Sequence, residues 1–517
     1  MEKQESIVKI VPGERFTPVT LAKKLGAVAL LESSSFVKGK ERYSLLMVRK
    51  GFGVEQRDGV VYYLDDTKRA RMSSGYRDIL DACRYFAEQH HPPAQDFPFP
   101  SGGVGFLSYE FAKYCDKIRF RDRPDPLGLP EASFLFGHVF VVFDHYTDLL
   151  YLIGLNYAEH RIDLERALAE TEETIRDLNF NYLQEPNGKH PVKIEEDPFD
   201  RERFLEGVET LRQEIIAGNL LQAVLSRRIT VQTTLPAFEA YRNLRRVNPS
   251  PYQFYLNFGE FELFGASPEM HVKVKDGKAV IHPIAGTRRR GNTEKEDQAL
   301  ETELREDPKE KAEHLMLVDL ARNDLGRICA PGSVKVTTFM GVERYSHVMH
   351  LVSEVQGTLE AGGGTDPGAG QGTIGPDRGA SVYPGAGVHA GMLQGKTLEK
   401  ESGAFTGMDT MPPGDPAAVI RATFPAGTVS GAPKIRAVET LDRIEPVPRS
   451  FYAGLVGYFE AGGGFDSCIT IRSALKRGNR MVLQAGAGVV YDSTPEREYE
   501  ETQEKLAALG VALGLEV

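Results

Sequence analysis

Gln484-Ala485-Gly486-Ala487-Gly488, followed at Thr494 and Pro495 by a helix start that carries Glu498, Glu501 and Lys505, is the stretch on which the reading of the chain turns. Gly486 and Gly488 have no Cβ, so the backbone there can approach a ligand closely and offer bare N–H groups. Thr494 suits an N-cap and Pro495 a first helical residue, and on the helix that follows Glu498, Glu501 and Lys505 share one face. Two carboxylates and a lysine beside a glycine turn suit a hydrated divalent cation that itself grips a small dianion. The same letters also describe a solvated, charged helix, and this segment alone does not separate the two readings.

A second helix start bears on the choice. Asp307-Pro308 reads as N-cap and first helical residue, and Glu310 and Glu313 follow at the same three-residue spacing. Glu310 stands where a capping box places its carboxylate, so helix stability alone accounts for it. Glu313 resists that explanation, because Met316, Leu317 and Leu320 put it on the inward, apolar stripe. A buried carboxylate requires a partner or a metal.

Bulk properties narrow the class. A chain of 517 residues with 41% hydrophobic and 26% charged residues has an ample core and the composition of a globular protein. It contains no apolar run long enough to span a bilayer, and Met1-Glu2-Lys3-Gln4-Glu5 opens no signal peptide, so the expected compartment is the cytoplasm. Cys83, Cys115, Cys329 and Cys468 lack metal-site spacing and read as reduced, packed thiols. A net charge of −11 argues against a nucleic-acid partner, and an anionic substrate must be held by local positive groups.

The first 180 or so residues alternate strand-like runs with turns, with residues 134–143 as a buried strand and 161–178 as a helix. Residues 181–200 turn polar and proline-bearing and read as a linker, which sets a boundary near residue 185 between an N-terminal domain (1–185) and a core (186–517). Within the core, 200–218 reads as helix, 223–225 with 229–231 as strand, and 280–284, 467–474 and 480–485 as further strands. Residues 361–414, rich in glycine and poor in aliphatic residues, read as a flexible surface insertion.

Together with Gly265-Ala266-Ser267-Pro268-Glu269, Pro283-Ile284-Ala285-Gly286-Thr287-Arg288, residues 313–324, Val348-Met349-His350, Gly427-Thr428-Val429-Ser430-Gly431-Ala432-Pro433-Lys434 and Ile469-Thr470-Ile471-Arg472-Ser473-Ala474, the two glutamate helices resemble the chorismate-utilising enzymes, and among them the anthranilate synthase component I family. The resemblance implies an α+β (mixed α/β) fold of two packed, largely antiparallel β-sheets with helices outside. It also implies a lyase that makes anthranilate and pyruvate from chorismate and ammonia with Mg2+. On this resemblance Glu269 is the general acid for the departing hydroxyl, Glu313 and Glu501 are direct metal ligands, and Glu310 and Glu498 hold metal-bound waters. Arg472 and Tyr452 take the enolpyruvyl carboxylate, while Thr428, Gly486, Ala487, Gly488 and Lys505 complete the substrate pocket. An arginine in an apolar strand needs an anionic partner in any case, and an internal salt bridge would also supply one. His350 matches the family's catalytic histidine, although a satisfied core histidine reads the same way.

Two positions separate the relatives. In the family, the relatives that make isochorismate or salicylate carry a lysine that activates water where this chain has Gln222, and those that make 4-amino-4-deoxychorismate commonly carry a lysine where it has Ala285. With neither lysine present, addition of ammonia at C2 remains. The alternatives are component I of 4-amino-4-deoxychorismate synthase, and a non-catalytic subunit that senses tryptophan. Leu30-Leu31-Glu32-Ser33 resembles the family's tryptophan feedback element, which pairs with Asn248-Pro249-Ser250-Pro251-Tyr252 and with Gly457-Tyr458. This implies an L-tryptophan site made by Glu32, Ser33, Pro251, Tyr252 and Tyr458, with Gln253 where relatives often carry methionine. No glutaminase signature is visible, so a separate glutamine amidotransferase subunit, component II, is the expected source of ammonia.

Overall fold

The computed structural model describes residues 3–33, 42–72, 75–94, 96–177, 179, 192–344, 348–360 and 414–512. Every strand pairing among them is antiparallel. The pairings trace two sheets that share one long pair of strands, Tyr43–Arg57 and Ala132–Asp144. Register shifts between Met47 and Phe52 bend this pair, and bulges of that kind are how strands pass from one packed sheet to the next.

Before the bend, Tyr43–Arg57 pairs with Ala29–Glu32, and the first sheet continues through Tyr252–Asn257, Glu262–Ser267, Ser473–Arg477 and Arg480–Val489 to Gln222–Thr233. Beyond it, Ala132–Asp144 pairs with Val104–Leu107, and the second sheet continues through Leu455–Phe459, Phe465–Ile469, Met270–Lys275 and Lys278–Ile281 to Val348–Thr358. Strands from before and after residue 185 thus lie side by side in both sheets. The expected α+β architecture of two antiparallel sheets with helices outside is the one observed.

Alternation along the strands sorts side chains between two cores. Leu263 joins a cluster with Phe52, Phe106, Phe134, Phe136 and Phe459, in which Phe52 and Phe136 stack at 4.7 Å. Its neighbour Phe264 faces the other way, into a cluster with Leu21, Leu168, Tyr241, Leu483 and Leu506 under the outer helices. Ala132–Asp144 is buried at every position, in keeping with the mostly apolar run expected at residues 134–143.

Local chemistry revises several boundaries. The helix expected at 161–178 is Leu164–Arg176, capped by Asp163. The strand expected at 280–284 breaks at His282–Pro283 into Lys278–Ile281 and Ile284–Arg289, since proline cannot donate to a ladder. The strand expected at 467–474 ends at Ile469 and resumes at Ser473, because Arg472 takes a left-handed conformation with φ 48°. Gly486 and Gly488 lie not in a turn but inside the strand Arg480–Val489. Of the expected linker, residues 180–191 are outside the described residues, whereas Val192–Glu196 pairs with the end of Gln222–Thr233. The expected insertion at 361–414 is outside the described residues except for Gly414. All four cysteines are free thiols. Among the described residues no helix is long and apolar enough to cross a membrane.

One buried ion pair ties the segments around the glycine strand together. Arg449, 1% exposed, donates from Nη2 and Nε to Glu445 at 2.6 and 2.8 Å, from Nη1 to the Val429 carbonyl at 2.7 Å, and from Nη2 to the Val224 carbonyl. Glu445 in turn accepts from Ser226 N and Oγ, each at 2.9 Å. Glu445→Gln preserves the shape but leaves a buried guanidinium without its counter-charge, a loss of about 3–5 kcal/mol. Urea unfolding should show that loss, while Glu170→Gln at the exposed Arg166 pair leaves the midpoint unchanged.

Candidate active site

The helix Pro308–Gly326 starts as its sequence foretells, with Asp307 accepting from the N–H groups of Lys309 and Glu310 at 2.9 and 3.3 Å. Glu310 does not close a capping box. Its carboxylate instead accepts from Arg288 Nη1 at 3.0 Å, and Arg288 also binds Asp307 and Glu303, each at 2.8 Å. Gly427 fixes where this helix lies: a Cβ there would fall 1.7 Å from Leu320 Cδ2, so only glycine lets the Gly427–Val429 turn approach so closely.

The helix Pro495–Ala512 runs beside the glycine strand, where Lys505 Nζ donates to the Gly486 carbonyl at 2.8 Å and to Glu501 Oε1 at 2.7 Å. The two helices bring their carboxylates into mutual range. Burial first, and then the negative charges of Glu310 and Glu501, hold the Glu313 carboxyl above its usual range. Burial, with help from Glu501, does the same to Glu498. Among the described residues no lysine or arginine forms an ion pair with Glu313 or Glu498. This crowding of acids fits a divalent cation as the missing counter-charge. No three acid, histidine or cysteine side chains among the described residues converge enough to enclose an ion, so such a cation would take part of its coordination from water and substrate.

Gly486 and Gly488 project toward the same face of their strand. A Cβ on Gly486 would lie 2.9 Å from Tyr452 Oη, and one on Gly488 would lie 2.9 Å from Gln222 Nε2. Ala487 between them is fully buried on the opposite face. Tyr452 is itself buried, which pushes its phenol above the ordinary value and keeps it a hydrogen-bond donor. Arg472 sits in the strand break with a backbone conformation that costs about 1–3 kcal/mol for a non-glycine residue. Its guanidinium makes a long 3.5 Å contact from Nη1 to Asn248 Oδ1, and among the described residues no carboxylate pairs with it. The internal salt bridge is therefore not what holds Arg472. Burial lowers its pKa with no anion opposing the shift.

Arg472 lies close enough to His350 to help depress that imidazole, although burial is the larger cause. The histidine is thus neutral, and its Nδ1 donates to the Gly286 carbonyl at 3.0 Å, which assigns the proton to that nitrogen. Glu269 lies at the end of the strand segment Glu262–Ser267, its carbonyl accepting from Ile469 N at 3.1 Å. Burial pushes its carboxyl up to about 7, with the Thr428 hydroxyl opposing the shift. Glu269, Thr428, Leu317 and Leu320 line one small crevice of about 30 Å³ between the sheet and the first glutamate helix.

A larger cavity of about 440 Å³ lies where the two sheets adjoin. Glu32, Ser33, Pro251, Tyr252 and Tyr458 all line it, along with Arg42, Lys273 and Asp466. Glu32 accepts from Arg245 at 2.9 and 3.0 Å and from Tyr241 Oη at 2.5 Å, and Ser33 Oγ donates to the Pro251 carbonyl at 2.5 Å. Of the residues expected at a substrate site, Glu269 and Thr428 share the small crevice, and the five expected around tryptophan share the larger cavity.

Sequence reasoning missed several contributors. Arg245 and Tyr241 face Glu32 from the amphipathic helix Ala237–Val247, where nothing in the local pattern marks them. Arg288 stands within a quoted motif, but its three acidic partners come from different turns of chain. Gln222 was read only for what it is not.

Residues 50–365 and 410–510 match the family described as chorismate binding enzyme. Anthranilate synthase component 1 of Spirochaeta aurantia is 53% identical over 515 residues, covering 99% of this chain and 96% of that one. The component 1 of Geobacillus stearothermophilus is 36% identical over 508 residues, 94% of this chain and 89% of the other. The crystal structure of anthranilate synthase component I from Streptococcus pneumoniae TIGR4 aligns with a TM-score of 0.72 at 32% identity, over 92% of this chain and 94% of that one. The menaquinone-specific isochorismate synthase of Escherichia coli, 20% identical, shares the fold with a TM-score of 0.67 over 99% of this chain and 95% of its own. With family model, relatives and fold in agreement, the chain belongs to the anthranilate synthase component 1 family of chorismate-binding enzymes.

Proposed function

We propose that this chain is a lyase that converts chorismate and ammonia to anthranilate, pyruvate and water. The observation that carries the reading is the polarity of the site: a half-buried Arg472 with no described carboxylate beside it, and Glu313 and Glu498 crowded by a neighbouring acid without a lysine or arginine partner. A substrate with two carboxylates answers both needs. Arg472, with the Tyr452 phenol, takes the enolpyruvyl carboxylate in a charge-assisted fork. Mg2+ would be held by Glu313 and Glu501, with Glu310 and Glu498 on its waters, and would supply orientation and charge withdrawal at the ring carboxylate.

The remaining residues divide the chemistry. Ammonia forms a bond to C2 of the ring, the two ring double bonds shift, and the C4–O bond breaks as Glu269 protonates the departing hydroxyl to water. A carboxyl with a pKa of about 7 is protonated in much of the population near neutrality, as a general acid must be. Loss of the C2 proton and of the enolpyruvyl group as pyruvate then makes the ring aromatic. Neutral His350, steered by Gly286, orients the substrate for that elimination. Lys505 bears on the Gly486 carbonyl and holds the glycine strand to the metal-binding helix. Gln222 and Ala285, neither of them a lysine, leave the site without a side-chain nucleophile or a strong base for water, which favours amination at C2.

Ammonia would come from a glutamine amidotransferase, component II, and the 440 Å³ cavity would receive L-tryptophan as feedback inhibitor of the first step toward that amino acid. Its ammonium would compete with Arg245 and Tyr241 for Glu32.

Chorismate, Mg2+ and ammonium should yield fluorescent anthranilate, with turnover abolished by EDTA and reduced at least about 100-fold in Glu501→Gln. If EDTA leaves turnover intact, the metal reading falls. Between pH 4.5 and about 7 the folded protein binds the Glu269 proton that the unfolded chain releases, so this residue's contribution to stability falls as pH rises through that window. Glu269→Gln should flatten that part of the denaturation profile and remove the decline in kcat above pH 7 measured at constant free ammonia. In calorimetry, Glu32→Gln should weaken tryptophan binding about 10- to 100-fold while leaving uninhibited turnover in place.

A further inference from the structure

The crevice beside Glu269 has three titratable side chains in its wall, Glu269, His271 and Asp324. His271 is committed elsewhere. Burial keeps its imidazole neutral, pushing the pKa down to about 3, and its nitrogens meet Thr423 Oγ1 at 3.2 Å and Ser467 Oγ at 3.1 Å. Thr423 Oγ1 gives its own hydrogen to the Val419 carbonyl at 2.9 Å, so the proton between Thr423 and His271 belongs to Nε2 and stays there. Asp324 is the remaining acid. It is 5% exposed on the helix Pro308–Gly326, and its Oδ2 accepts from Lys434 Nζ at 2.8 Å. Burial holds its carboxyl above the usual range against the pull of Lys434, while Arg327 lowers it and Asp116 raises it. Arg327 and Asp116 form a partly exposed ion pair at 3.1 Å. Asp324 thus borders the crevice and lies within electrostatic range of a pair that meets bulk water.

A space of about 30 Å³ accommodates a water molecule where polar groups line it. Thr428 Oγ1 is one such group: it is close enough to oppose the rise in the Glu269 pKa, yet it is buried and makes no hydrogen bond of ordinary geometry with a described residue. The carboxyls of Glu269 and Asp324 are the others. We propose that Asp324 reloads Glu269 with a proton after each turnover, through water held in this crevice. The inference rests on the reading of Glu269 as the acid for the departing hydroxyl. In each cycle the hydroxyl takes the Glu269 proton and leaves as water, and the new ammonium at C2 releases one proton to solvent. Asp324 takes one proton from solvent and passes it to the crevice water, as that water gives one of its own to the Glu269 carboxylate. The cycle is therefore balanced. Glu269 is only 8% exposed, so bulk water reaches its carboxyl poorly by any other way. Asp324 acts through Glu269 alone.

The test is rapid mixing of the full chain with chorismate, Mg2+ and ammonium chloride, with anthranilate fluorescence separating the first turnover from later ones. At about pH 6, below the Glu269 pKa of about 7, most chains start with the proton in place. Asp324→Asn keeps the side-chain shape and removes the carboxyl that carries the proton. Its first turnover spends a proton Glu269 already holds and should stay within about twofold of the wild-type rate, whereas later turnovers should slow at least about tenfold. The trace is then a burst approaching one anthranilate per chain. Should the single variant fail to fold with Lys434 left unpaired, Asp324→Asn combined with Lys434→Met removes both charges and gives the same readout. First and later turnovers slowed alike would make Asp324 a structural support and overturn the proposal. Later turnovers at the wild-type rate overturn it as well. Glu269→Gln, which should slow the first turnover itself, tests the functional reading separately.

Discussion

Arg449 and Glu445 are the point on which the site's construction depends. The pair is buried and four residues apart, and its hydrogen bonds run to the turn that carries Thr428, to the strand that begins at Gln222, and to Ser226 opposite Gly486. Arg449 also lies over the rings of Tyr109 and Tyr452, at 4.6 and 5.9 Å. Arg228, from the same strand, binds the Pro448 and Arg449 carbonyls at 2.7 and 2.9 Å and so fixes the loop from the other side. Two charges removed from water are held together only by good geometry and full hydrogen bonding, and here that requirement aligns three segments remote in sequence. None of these groups faces the substrate region directly, yet Tyr452, Thr428 and Gln222 take their places from them.

Around that frame the site is divided by charge. In the proposed site, glutamates from two helix starts make one charged end, and Arg472 with neutral His350 makes the other. Each end is electrostatically incomplete by itself: burial raises the acids at one and lowers the guanidinium at the other. Arg472 is also held at φ 48° between pairings on both sides of the strand break. A folded chain tolerates such unpaired groups where a ligand supplies what they lack.

Much of this was legible in sequence where a single local rule governed. Asp307-Pro308 announced its helix because capping is local, and residues 134–143 announced their burial because nearly every side chain there is apolar. Glu313 was recognised as inward from its apolar neighbours alone. The fold class and the assignment of side chains to sites needed the resemblance to a family. What stayed hidden depended on partners far along the chain. The capping-box explanation of Glu310 failed because Arg288, 22 residues upstream, competes for the carboxylate. The strand through Arg472 was drawn too long because nothing in Ile469-Thr470-Ile471 signals a left-handed residue. The glycines at 486 and 488 were placed in a turn, although their purpose inside a strand is to clear space for Tyr452 and Gln222.

Pro268 and Met270 both line the cavity between the sheets, while Glu269, the residue between them, also lines the crevice beside the first glutamate helix. Met270 lines both, so the two compartments share a wall at Pro268, Glu269 and Met270. Any coupling between ligands of the two compartments across this wall is obliged by thermodynamics to be mutual. A ligand of the larger chamber that disfavours chorismate must itself be disfavoured by chorismate to the same degree.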